Sequence, residues 1–256
     1  MTPQDQRWAL AGEAAAFHAA VGDLTTPVPA CPDWRVGDLV RHLGSVHRMF
    51  RRVAEEGWTT RPGPVPDDPR PQAGDPAVAA WAREETRLLL DALEDLDPDA
   101  ERWNFTPGPQ VGAFIPRRML HETAVHRHDL EEAYGRPSPI PPDVARDGVL
   151  EFLEVQLSRS GPWPDEPLRL DVEVDGDLVA HVILEPGEAA RVTPGGPVPV
   201  AAPASAVTGS APLAADVVLA GTGHELVLAL WGRRPLAPVA TGDTARLAAF
   251  RGFVRT

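Results

Sequence analysis

The chain has 256 residues, 43% of them hydrophobic, and a formal net charge of -13 at pH 7. That length suits one large domain or two small ones with an ordinary core. The acidic balance argues against nucleic acid, whose phosphates need a basic patch, and no apolar run is long enough to span a bilayer.

The first residues lack a basic start followed by an apolar segment, so a secretory signal is not expected. A single cysteine, Cys31, excludes an intrachain disulfide and a Cys-rich zinc site and suits a reducing cytoplasm. All 24 basic residues are arginine, which with the heavy Ala, Pro and Gly usage suggests a GC-rich genome.

Residues 4–21 carry apolar positions at Trp8, Leu10, Ala14, Phe17 and Val21, predicting a first amphipathic helix. Prolines keep residues 25–34 out of helix. A second helix is predicted over residues 36–55, with Val36, Leu39, Val40, Leu43, His47 and Phe50 on its apolar face. Asp38 falls in its first turn, where a carboxylate suits the helix dipole, and Arg35 stands where a Ser or Thr N-cap is usual. Residues 57–75 are a long loop rich in Pro, Gly and Asp. A third helix is expected over residues 77–96, ending before Asp97-Pro98, with another loop at 103–111.

The stretch from Arg117 to Gly135 reads as one helix, with Pro116 at its first position, Gly135 as its cap and Pro137 just beyond. At 3.6 residues per turn, Met119, Thr123, His126, Leu130 and Ala133 share one stripe. Glu122 and Asp129 lie along its edge, and His121 and His128 fall on the opposite face. A buried carboxylate is normally paired or bound to metal, so Glu122 and His126, one turn apart, are a candidate metal half-site. A salt-bridged Glu–His pair without metal is the plainer alternative. A metal needs a third ligand, and the second helix offers two histidines. His47 sits near the centre of its apolar face and is slightly favoured as the buried one. His42 lies on the flank, where bundle sites also draw ligands, so both stay open.

Residues 136–142 form a stiff connector and 143–157 a further helix. Near Gly161 the pattern changes. Residues 168–184 alternate apolar and polar around Asp175-Gly176, a hairpin signal. Residues 189–192, 204–209 and 211–219 fit short strands, 225–233 a helix leading into a turn, and 244–253 a short closing helix. The expected fold class is α+β: a helical bundle over residues 1–159, then a small α+β domain over residues 160–256, with no internal repeat.

Four stretches, in order, resemble a known family. CPDWRVGDLVRHLGSVHRMF resembles the second-helix signature of the actinobacterial mycothiol-dependent maleylpyruvate isomerase family, a branch of the DinB-like four-helix bundles. Its W-x-V-x-D-L-x-x-H-L pattern is met by Trp34, Val36, Asp38, Leu39, His42 and Leu43. RRMLHETAVHRHD resembles the family's other signature, with Glu122 and His126 in the ligand positions. DGVLEFLEVQL, residues 147–157, looks like the helix linking to the second domain. ELVLALWGRRP, residues 225–235, resembles the motif of its sterol-carrier-like C-terminal domain. The chain departs from the pattern at His128, where a Trp is usual, and in LVAHVIL, which lacks the usual strand Trp.

The resemblance implies a divalent metal, zinc before nickel or iron, held by His42, Glu122 and His126 in a pocket between bundle helices, with His42 in place of His47. A His2Glu set fits zinc with an open position. It implies mycothiol as a thiol cosubstrate, and an isomerase or S-transferase that adds a thiolate to an electrophilic small molecule. Asp129 is expected to orient His126 or a substrate group, against a helix-end salt bridge. Arg233 is a candidate to pair bidentately with a carboxylate of thiol or substrate, against a structural ion pair. Cys31 reads as a structural thiol. The competing classes are metal-assisted hydrolysis and a non-catalytic binding module.

Overall fold

The computed structural model describes residues 1–63, 69–195 and 214–254. The strand expected over residues 204–209 lies outside them, as do residues 64–68 of the long loop and 211–213 of another expected strand. Among the described residues, no helix is long and apolar enough to cross a membrane. The chain divides into two compact units, Met1–Val144 and Ala145–Thr256.

The first unit holds four helices, α1 (Pro3–Ala20), α2 (Val36–Glu56), α3 (Ala77–Ala92) and α4 (Phe114–Ala133). Helix α1 packs on α4 and α3, and α2 packs on α3 and α4, which closes a four-helix bundle. Helix α1 opens with a capping box: Thr2 Oγ1 accepts from the Asp5 N–H at 3.1 Å, and Asp5 accepts from the Thr2 N–H at 2.9 Å. Helix α2 lacks a capping side chain at Arg35, but Asp38 Oδ2 accepts from the Arg35 N–H at 2.9 Å. It ends at Gly57, whose φ of 68° is the left-handed conformation glycine tolerates.

In this unit the largest departures from expectation are at two helix ends. Helix α3 stops at Ala92, because the Glu94 N–H turns to the Asp91 carbonyl at 3.0 Å, a tighter turn that ends the helix. Helix α4 starts at Phe114, so Pro116 falls at its third position; N–H groups there have no intrahelical partner to lose.

Phe17, Val28, Val36, Leu39, Val40, Leu43, Val78, Ala82 and Leu130 form a core drawn from all four helices and the loop before α2. The α2–α3 contact needs a glycine. A Cβ at Gly44 would lie 2.6 Å from the Trp81 ring and 2.9 Å from Ala82 Cβ. Gly44→Ala is expected to destabilise the protein by about 1–3 kcal/mol through overpacking, beyond what the better helix propensity of alanine returns. Urea unfolding measures this, and a variant as stable as wild type would show that the contact yields without cost.

In the second unit, α5 (Pro142–Arg159) precedes a mixed five-stranded sheet. Its strands are β1 (Leu168–Val174), β2 (Asp177–Leu184), β3 (Arg191–Pro194), β4 (Val217–Gly221) and β5 (Ala240–Gly242), in the order β3-β2-β1-β4-β5. The β1–β2 hairpin turns at Asp175 and Gly176, with φ of 54° and 86°, the positive pair its two-residue turn demands. Leu168, Leu170, Val172 and Val174 alternate inward along β1. Strand β4 pairs parallel to β1, and the other pairings are antiparallel. Helix α6 (Gly223–Leu230) is capped by Thr222 and begins two residues earlier than expected. Helix α7 (Thr244–Phe253) is capped by Asp243. Phe152 of α5 meets Trp231 edge to face at 5.1 Å.

Candidate metal centre

Helices α2 and α4 bring three side chains together. His42 Nε2 lies 2.9 Å from Glu122 Oε1, and His126 Nε2 lies 3.4 Å from the same oxygen. Among the described residues, one donor atom from each of His42, Glu122 and His126 falls within 4.8 Å of the others. Glu122 and His126 meet because they are one helical turn apart on α4. His42 reaches them because α2 packs directly on α4.

The groups behind the cluster fix its direction. Asp129 is fully buried, and its Oδ2 accepts from His126 Nδ1 at 2.9 Å. That hydrogen bond leaves His126 Nε2 facing Glu122. Glu122 Oε2 accepts from Arg118 Nη2 at 2.6 Å. Trp34, from the segment entering α2, lies against both imidazoles, its ring centroid 4.9 Å from that of His42 and 6.3 Å from that of His126.

Burial works to raise the Glu122 carboxyl, but the Arg118 guanidinium and the two imidazoles bring it well below the usual carboxylate range. Burial works to lower His126, but its bonds to Asp129 and Glu122 push it up to about 9. A cation bound between His42, Glu122 and His126 would replace the proton on His126 Nε2. Two imidazole nitrogens and one carboxylate oxygen suit zinc, nickel or iron rather than calcium or magnesium, which prefer all-oxygen sets.

His47, the alternative third ligand, is buried elsewhere in the bundle. Its Nδ1 lies 2.8 Å from Thr86 Oγ1, and its Nε2 lies 3.0 Å from Thr123 Oγ1. His18 Nε2 donates to the same Thr86 hydroxyl at 2.9 Å. Burial, then repulsion from Arg83, lowers His18 to about 4. It takes up a proton on unfolding once the pH falls below its ordinary 6.5, so its contribution to stability is complete above about pH 6.5 and lost towards pH 4. Relative to His18→Gln, wild type should lose on the order of 2 kcal/mol of stability between pH 8 and pH 5. Urea unfolding of both proteins at the two pH values checks this, and a constant difference between them would refute it.

The single buried face expected for α4 is corrected: burial continues round the helix. His121 and His128 are each 2% exposed, although the wheel sets them opposite His126. Polar residues on that second face are buried with partners, which hydrophobic periodicity does not detect. Arg127 pairs with Glu13 at 2.5 Å and Glu131 at 2.8 Å, and His128 Nδ1 donates to the Ser138 carbonyl at 3.3 Å.

Arg233 lies in the turn after α6, in the second unit, where its Nη1 donates to the Trp231 carbonyl at 2.9 Å. Cys31 is half-buried against the bundle core. Sequence reasoning passed over two residues of the cluster. Arg118 stands four residues before Glu122, a spacing that signals a helical ion pair. Trp34 was visible only as a motif position.

Two family models match the chain. The mycothiol maleylpyruvate isomerase N-terminal domain covers residues 7–131, and the corresponding C-terminal domain covers residues 143–249. Two solved structures are similar to it. A crystal structure of the mycothiol-dependent maleylpyruvate isomerase is 13% identical with a TM-score of 0.58, covering 91% of this chain and 90% of that one. A histidine-to-alanine mutant of that name is 13% identical with a TM-score of 0.60, covering 95% of this chain and 94% of that one. At this identity the likeness is one of fold. No curated protein sequence matches the chain.

Proposed function

The chain belongs to the mycothiol maleylpyruvate isomerase family, and on that premise we propose that it is a metal- and thiol-dependent isomerase. Its substrate is maleylpyruvate or a similar electrophilic alkene, its cosubstrate is mycothiol, and its metal is zinc. The observation that carries this reading is the convergence of His42, Glu122 and His126 between α2 and α4.

A divalent cation held by these three residues would supply the charge that keeps a thiol as its thiolate at neutral pH. The thiolate would add to the alkene carbon while the π electron pair moves onto the conjugated carbonyl as an enolate; the former double bond would then rotate as a single bond, and return of the pair would expel the same thiolate and leave the double bond in its other geometry. Asp129 keeps His126 in the tautomer that presents Nε2. Trp34 walls one side of the imidazole pair.

Turnover of maleylpyruvate by zinc-loaded protein, with and without mycothiol, tests the proposal. Isomerisation that needs both supports it. Turnover that persists after the thiol is removed would instead favour metal-assisted water chemistry, and a stable thiol adduct as product would make the protein an S-transferase.

A further inference from the structure

Glu122 has two carboxylate oxygens in different surroundings. Oε1 faces the imidazoles of His42 and His126 at 2.9 and 3.4 Å. Oε2 is taken by Arg118 Nη2 at 2.6 Å. The Arg118 side chain is 3% exposed, and the two residues are one turn apart on the same helix. A charge-assisted bond of that length in a buried setting is strong, and Glu122 cannot swing Oε2 towards the imidazoles without breaking it.

We infer that Arg118 is a positioning residue that restricts Glu122 to a single donor oxygen and sets the charge felt by the metal. With Oε2 held away, the protein offers three donor atoms rather than four, and the remaining positions stay open to thiol and substrate. The guanidinium also offsets the Glu122 charge, so the net negative charge beside a dication comes from Asp129 alone, one hydrogen bond behind His126. Such a metal is held less tightly than the same donors alone would hold it, and less of its charge is neutralised, which favours deprotonation of a thiol. The inference rests on the metal reading above.

Cobalt(II) titration of the apoprotein tests it by visible absorption, which is intense at low coordination number and weak at high. Wild type should show intense bands that His126→Ala loses. Arg118→Met frees Oε2 and removes the positive charge. It should therefore give clearly weaker bands and, from the lost repulsion across a few ångströms of partly buried space, binding at least about tenfold tighter. Arg118→Lys keeps charge and donor and should restore the wild-type spectrum. Circular dichroism establishes that each variant is folded, and Arg118→Leu, which also lacks a donor, replaces Arg118→Met if the latter is not. Unchanged bands or weaker binding in a folded Met or Leu variant would overturn the role of Arg118. Absence of bands in wild type, or their persistence in His126→Ala, would overturn the metal site itself.

Discussion

His42→Ala, Glu122→Ala and His126→Ala are each expected to lose more than about 100-fold in zinc affinity, and with it thiol-dependent turnover. The size follows from rank: loss of a group that merely supports a ligand costs roughly 10–100-fold, and loss of the ligand costs more. The controls are the other buried histidines. His121→Ala and His128→Ala remove side chains on the far face of α4, and His47→Ala removes one committed to Thr86 and Thr123. These three should lose stability and still bind one zinc. Equilibrium dialysis against buffered zinc separates the two groups. Full occupancy in His126→Ala would sink the assignment.

Asp129 carries the second large effect. It is fully buried, and its carboxylate accepts the Nδ1 proton of His126. Asp129→Ala should lower zinc affinity towards the upper end of roughly 10–100-fold, and Asp129→Asn, whose amide oxygen still accepts that proton, towards the lower end. Equal and negligible effects in both would confine Asp129 to a structural role at the end of the helix. Asp129→Leu, close to asparagine in volume but without an acceptor, separates orientation of His126 from general loss of packing: its zinc affinity should fall with that of Asp129→Ala, not stay with that of Asp129→Asn.

The parts of this structure that were legible in the sequence are those set by local chemistry. Asp175-Gly176 fixed the hairpin, because a two-residue turn of this kind requires positive φ at both positions. The four-residue spacing of Glu122 and His126 placed half of the cluster on one helical turn. The other half depended on which helix packs against α4. Periodicity drew attention to His47, at the centre of the apolar face, and only the motif resemblance pointed to His42. The reason is physical: a ligand between two helices sits at the edge of the buried stripe, where hydropathy is ambiguous. The parallel pairing of β4 with β1 was equally hidden, since strands far apart in sequence leave no local mark of their register. The second buried face of α4 was missed because it is built from paired polar residues such as Arg127 with Glu13, not from apolar ones.

The metal centre is tested most directly by zinc K-edge absorption on protein loaded with one equivalent of zinc and no added thiol. The spectrum should show a first shell of nitrogen and oxygen only, with the multiple-scattering pattern of two imidazoles from His42 and His126. A sulfur shell from Cys31 or a methionine, or a pattern with one imidazole or none, would break the assignment.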